Sequence, residues 1–407
     1  MSKSNLASTL PHAVARQTSA SDTALLSEIQ QAIAQLTLGD FHQKWNSAKR
    51  LSAQFVEWGD RAIPLLIEQL KIETNPENQG FLIRILSQFN RPAVVEAIAT
   101  LLVDTQDSDV QIEATKALTK IGISAIQTLS KKLESPSLSQ QVLAATVLSR
   151  IRRTPIVEPL LGVTHHPDAT LRAIAIEALG SFHDPRITPV LIAAIKDEPA
   201  ISKEAIRALS RRSDLIDTVD LVSPLSEALQ SSDIAIAKES AIALGRLGTT
   251  EALSVLAGLL NQAKPTVLKV TAIRALGWSN SRVAVEALAE AFGYLAPKIT
   301  EEARMEIARA LGQTRAGYLQ AIAAEPLVAW LGSLQTQLPH PSSSNADNSI
   351  HNPLKQTVIL SLSRLGSTDA IEPLVTLLND ADARIQMHAQ SALRQIDPDN
   401  SHLLNCG

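Results

Sequence analysis

Two stretches of this chain, AIRALS at Ala205–Ser210 and AIRALG at Ala272–Gly277, share five residues in a row and start 67 positions apart. Relatives of the same stretch stand at Ile176–Gly180 (IEALG), Ile242–Gly248 (IALGRLG), Ile307–Gly312 (IARALG) and Ala114–Gly122 (ATKALTKIG). The leucine closing each AL pair, or its equivalent, serves as a marker. The markers are Leu51, Leu86, Leu118, Leu148, Leu179, Leu209, Leu244, Leu276, Leu311, Leu362 and Leu393. Their successive separations are 35, 32, 30, 31, 30, 35, 32, 35, 51 and 31 residues. A chain that returns to one apolar pattern at such a period is a row of stacked supersecondary units.

Each unit reads as two helices. One is rich in Ala and closes on Leu-Gly or Leu-Ser, with apolar residues at three- and four-residue steps. Small Ala side chains let such helices approach closely. The Gly after the Leu is expected to end the helix, because Gly accepts the left-handed conformation. The second helix reads like ITPVLIAAIKDE (Ile187–Glu198) or AIEPLVTLLNDAD (Ala370–Asp382), with a Pro near its start where a missing N–H costs nothing. Its acidic or polar end is placed to cap the following unit. The long interval contains LQTQLPHPSSSNADNSIHN (Leu334–Asn352), a Ser/Asn/Pro-rich run expected to be an inserted loop. Residues 1–21 read as a tail, a helix from Asp22 as the cap of the array, and residues 399–407 as a second tail. The first tail carries Lys3 and Arg16 with no acid before Asp22, so a targeting segment stays open beside it.

Composition bounds the core and the partners. Of 407 residues 45% are hydrophobic but only 3% aromatic, so the interior must be built from Ala, Leu, Ile and Val. The formal net charge is −4 and the pI about 6.2, against the strongly basic footprint of a general phosphate-backbone binder. A single cysteine, Cys406, excludes an internal disulfide, fits a cytoplasmic setting and reads as a bystander thiol. No run approaches the roughly 18 apolar residues of a membrane span.

The pattern over Phe41–Pro398 resembles the HEAT-repeat superfamily and, within it, the HEAT-like repeats of phycobilisome lyases. The resemblance implies an all-α chain, an α-solenoid (superhelix) of about eleven helix pairs over residues 22–398, with the ALG-type helices lining its concave side.

On that placement one position stands out. Two residues before the markers come Lys49, Arg84, Lys116, Thr146, Glu177, Arg207, Ile242, Arg274, Arg309, Leu360 and Ser391, six of eleven basic. Two residues after them come Lys120, Arg150, Arg211, Arg246 and Arg364, with Trp278 at the same place in its unit. Residues four apart share a helix face, and stacked helices lie roughly 8–10 Å apart. The candidate partner-binding residues are therefore Lys49, Arg84, Lys116, Arg150, Arg207, Arg211, Arg246, Arg274, Trp278 and Arg309. The plainer reading is a solvated face neutralised by Glu113, Glu204 and Glu306, each three residues before a base. Phe41, Trp45, Phe55 and Trp58 cluster in the first unit, either closing the end of the array or offering a docking patch.

No P-loop, dinucleotide fingerprint or nucleophile–base signature occurs. His165 and His166 are adjacent rather than one helical turn apart, and read as turn residues before Pro167-Asp168. Deoxyhypusine hydroxylases, HEAT-like enzymes, bind iron through His-Glu pairs, and no His here precedes a Glu. No catalytic residue, metal or cofactor is expected. The first functional reading is a protein-binding scaffold or an assembly or chaperone factor, with another protein, an acidic one among the candidates, on the concave face. The alternative is a bilin lyase or lyase subunit acting on a phycobiliprotein, with Arg and Lys holding bilin propionates; about eleven units exceed the length expected of one such subunit. The third is a HEAT-like nucleic-acid binder, which the acidic balance opposes.

Overall fold

The computed structural model describes residues 20–53, 55–293, 299–336 and 352–398. All regular structure among them is helical. The chain divides into two compact units, Met1–Ala178 and Leu179–Gly407.

The first unit contains α1 (Ala20–Leu38), α2 (Phe41–Ala53), α3 (Phe55–Ile72), α4 (Pro76–Leu86), α5 (Pro92–Asp104), α6 (Ser108–Ile121), α7 (Ile123–Leu133), α8 (Leu138–Ile151), α9 (Val157–Gly162) and most of α10 (Ala169–Leu179). The second holds α11 (Ile187–Ala194), α12 (Pro199–Leu209), α13 (Val222–Leu229), α14 (Ile234–Leu247), α15 (Thr250–Leu260), α16 (Thr266–Ser279), α17 (Arg282–Gly293), α18 (Glu301–Leu311), α19 (Gly317–Thr336), α20 (Asn352–Leu365), α21 (Ile371–Thr376) and α22 (Ala383–Ile396).

Every marker leucine falls in an even-numbered helix, and all eleven are at most 3% exposed. Within each unit even helices pack on even ones and odd on odd, as in α4–α6–α8 and α12–α14–α16–α18–α20–α22, or α3–α5–α7 and α13–α15–α17–α19. Each unit is thus a two-layer stack of helix pairs, the construction of an α-solenoid, in which no pair buries its apolar face without a neighbour. The core is aliphatic, as the composition requires.

The glycine of the ALG motif ends its helix at Gly312, the C-cap of α18, but does so without a left-handed backbone, and it does more than end a helix. Gly245 and Gly277 lie inside α14 and α16, and Gly312 follows α18 with an ordinary right-handed φ of −65°. A Cβ on Gly245 would stand 2.6 Å from Ala275 Cβ, one on Gly277 3.0 Å from Ala310 Cβ, and one on Gly312 2.6 Å from Ser361 Cβ. The residue after one marker is pressed against the residue before the next. Small-on-small contact at that point sets how closely even helices stack, which is why AL followed by Gly or Ser recurs. The left-handed glycine at a helix end comes three residues later, at Gly248 with φ 64°.

The acid-capping expectation is met where Asp107, Asp233 and Asp382 accept from the first backbone N–H groups of α6, α14 and α22. Asp168 Oδ1 accepts from Leu171 N at 3.1 Å. The prolines of α9, α11, α13 and α21 occupy the third helical position, where their missing N–H is one of the orphans of the first turn. Pro64 and Pro326 differ, lying within the long helices α3 and α19. The loop expected at 334–352 falls mostly outside the described residues. Residues 334–336 finish α19 and Asn352 begins α20, while 337–351 lie outside the described residues. α1 starts at Ala20 rather than Asp22; residues 1–19, and 399–407 with Cys406, also lie outside them. No described helix is long and apolar enough to cross a membrane.

Candidate functional site

The even helices expose one side to solvent, and the expected basic positions stand there. In the first unit Lys49 is exposed, its Nζ 5.6 Å from the ring centre of Trp45. Arg84 donates from Nε to Glu113 Oε2 at 3.0 Å, reaching from α4 to α6. Lys116 Nζ binds the other oxygen of Glu113 at 3.1 Å. Arg150 is exposed on α8. In the second unit Arg207 binds Glu204 of its own helix and Glu239 of α14, both at 2.6 Å. Arg274 donates to Glu306 Oε1 at 2.8 Å from α16 to α18, and Arg309 completes the trio at 3.1 Å. The intrahelical pairs anticipated from sequence are present. The bridges to the next helix are additional, and a glutamate five residues before a marker makes each one.

Burial by itself would raise the pKa of Glu306. The hydrogen bond from Arg274, with its charge and that of Arg309, outweighs this and holds the carboxyl below its ordinary value. Glu113 balances burial against Arg84 and Lys116 in the same way. A lowered carboxylate pKa adds stability that is complete above the unfolded value, about 4.3, and is lost as pH falls through the folded value. Glu306→Gln is accordingly expected to cost about 1 kcal/mol at pH 7, since both arginines are more than half exposed. Its urea midpoint should fall less steeply than wild type below about pH 4.5; parallel pH profiles would contradict the bridge.

The positions two after each marker behave differently. They are Ala53, Gln88, Lys120, Arg150, Ser181, Arg211, Arg246, Trp278, Gln313, Arg364 and Gln395, with no acid among them. Arg246 Nη1 donates to the Ser210 hydroxyl at 3.2 Å, and Arg211 is exposed beyond the end of α12. Trp278 is 57% exposed, so it stands on the open face rather than in the core. Beside it lies a cleft of about 420 Å³, lined by Gly277, Trp278, Asn280, Gln313, Arg315 and Arg364 along with Gly312. Asn280 shapes one wall: it takes the left-handed conformation (φ 46°) and its Oδ1 accepts from Arg315 N at 3.1 Å. Among the described residues the basic face thus resolves into a row largely neutralised by glutamates and a second row that meets none. Arg315 and Asn280 carried no repeat signal, because they sit in turns past the helix ends.

At the start of the first unit a cleft of about 430 Å³ is lined by Trp45, Lys49, Phe81 and Arg84 among others. The side chains of Phe41, Phe55 and Trp58 lie outside the described residues. His166 serves its turn, accepting at Nδ1 from Asp168 N at 3.0 Å. Among the described residues no three His, Cys, Asp or Glu side chains are grouped as for a metal ion.

Comparison with known proteins bears on the fold. The family model for HEAT repeats matches residues 63–148, 126–210, 189–276 and 222–294, together more than half of the chain. No curated protein matches the sequence. Among solved structures, human deoxyhypusine hydroxylase in complex with glycerol is 18% identical, with 78% of this chain and 98% of that one covered and a TM-score of 0.28. Importin beta, solved in a polyethylene glycol condition, is 12% identical, with coverage of 95% and 68% and a TM-score of 0.45. Likenesses this remote say nothing of activity.

Proposed function

The chain belongs to the HEAT-repeat family, and on that premise we propose that it is a non-catalytic protein-binding scaffold or assembly factor, holding a partner protein on the solvent face of its even-numbered helices. The observation that carries this reading is the alternation of charge in the first row. Arg84–Glu113–Lys116 in the first unit, and Glu204–Arg207–Glu239 and Arg274–Glu306–Arg309 in the second, present fixed donors and acceptors that each link one even helix to the next. A phosphate strand is bound largely because protein cations displace its condensed counterions, and arginines already neutralised by glutamates displace few. A protein surface of mixed charge finds complementary groups in both signs.

The test compares wild type with a chain bearing Arg207→Gln, Arg274→Gln and Arg309→Gln. Affinity capture followed by cross-linking should recover a protein partner on the wild-type face. The triple variant should bind that partner at least about tenfold more weakly, roughly 1.4 kcal/mol, with an unchanged far-UV circular dichroism spectrum. Equal binding by both chains would reduce these residues to solvated helix surface. The finer readings are outcomes of the same experiment. A new visible absorbance with a linear tetrapyrrole and an apo-phycobiliprotein would replace the scaffold by a bilin lyase, in keeping with the phycobilisome-lyase resemblance. Tight, steeply salt-dependent DNA binding would replace it by a nucleic-acid binder.

A further inference from the structure

The second row of the second unit differs from the Arg207, Arg274 and Arg309 positions of the first: among the described residues its cations meet no carboxylate. From α12 to α20 it runs Arg211, Arg246, Trp278, Gln313, Arg364, all exposed, with Arg315 beside its last step. Basic residues at helix C-termini also complement the helix dipole, and that accounts for Arg246 and Arg364 as charges. It does not account for an indole standing open between them, nor for the cleft that Gly277 and Gly312 help to line. Those two glycines are already required by the stacking of α16, α18 and α20, so the close approach that builds the array also leaves that part of the lining without side chains.

We infer that this row is the docking line for an extended acidic segment of a partner protein, with an apolar side chain laid on Trp278 and carboxylates held by Arg246 on one side and by Arg315 and Arg364 on the other. The inference rests on the scaffold reading and supplies the chemistry of its partner. Charge complementarity selects the acid: an open guanidinium binds a carboxylate through paired N–H donors. The indole selects the apolar residue, since Trp offers a large contact area at low entropic cost. Helix spacing sets the register. Adjacent even helices lie roughly 8–10 Å apart, and an extended chain advances about 3.3 Å per residue. One step of the row therefore corresponds to about three residues of the guest. The expected segment has an acid about three residues to one side of a large apolar residue, and a second acid within about six residues on the other.

The experiment pans a random dodecapeptide library displayed on phage against the full chain, then measures the synthetic consensus peptide by fluorescence anisotropy. Selected peptides should carry a large apolar residue flanked by Asp or Glu, and binding should weaken as salt rises. Trp278→Ala and Arg364→Gln should each weaken the consensus by at least about fivefold, as for loss of one exposed contact, while Lys196→Gln on the odd layer leaves it unchanged. Selection of nothing, selection of peptides without acids, or binding indifferent to Trp278→Ala and Arg364→Gln overturns the inference. Stability lost in Arg364→Gln with binding intact also overturns it, because the arginine then serves only its own helix end. Should a protein partner be captured through Arg207, Arg274 and Arg309 while no acidic peptide depends on Trp278, the docking line alone falls. Absence of any protein partner sinks the scaffold reading itself.

Discussion

Replacing Gly245 by leucine is expected to destabilise the second unit by about 3 kcal/mol, seen as a fall in the urea midpoint of the helical signal. Gly245 lies in α14 against α16, and an added Cβ would meet Ala275 at 2.6 Å to its Cβ and 3.0 Å to its Cα. Neither atom can rotate away, so relief requires the two helices to part. Their separation is also the separation of the packed apolar layer beneath, which is close-packed and transmits such strain. Two control substitutions separate this account from a conformational one. Gly258, in α15, has nothing within 4 Å of a built Cβ, and Gly258→Ala should stabilise by about 0.5–1 kcal/mol through helix propensity. Gly248, with φ 64°, should lose about 1 kcal/mol on replacement by alanine because its backbone is left-handed. Were Gly245→Leu as mild as Gly248→Ala, the contact reading of the ALG motif would be wrong.

That contrast marks what the sequence could and could not convey. The period of the marker leucines was legible because burial imposes it: each must be apolar, and each recurs when the next pair stacks. The helix order and the all-α class followed directly. The role of Gly245 was not legible, because a small residue near the end of a helical pattern satisfies two different demands, a left-handed turn or a close neighbour. Sequence alone gives the first as readily as the second. IALGRLG holds both answers three residues apart, with Gly245 for contact and Gly248 for the turn.

The candidate face was legible in the same partial way. The bases at two residues before the markers could be found by counting, and so could the glutamates three residues ahead of Lys116, Arg207 and Arg309. Counting within a helix does not reveal which side chain meets the helix alongside. Arg84 to Glu113, Arg207 to Glu239 and Arg274 to Glu306 are pairs about one repeat apart, fixed only once the stacking offset is known. With the offset in hand, the single basic ladder separates into a compensated row and an open one. Trp278, which departs from the basic pattern at its own position, becomes the centre of the open row.

Leu276→Ala is expected to have an equally large effect, about 3–4 kcal/mol, and to show how the stack distributes it. Leu276 is fully buried in α16, with α14 on one side and α18 on the other. Truncation removes apolar contact and leaves a cavity that rigid helices on both sides cannot fill. In a stack whose stability is a sum of unit and neighbour-interface terms, a defect there weakens two interfaces at once. Leu393 is an equivalent marker at 3% exposed, but among the described even helices α22 packs chiefly on α20. Leu393→Ala should therefore cost less, about 2 kcal/mol. Hydrogen exchange followed by mass spectrometry reads the difference. Leu276→Ala should speed amide exchange in α14 and α18 as well as in α16, whereas Leu393→Ala should confine faster exchange to α20–α22. Equal costs at the two sites, with exchange raised uniformly through the unit, would mean that it melts as one block, and the neighbour-by-neighbour account of its stability would have to be given up.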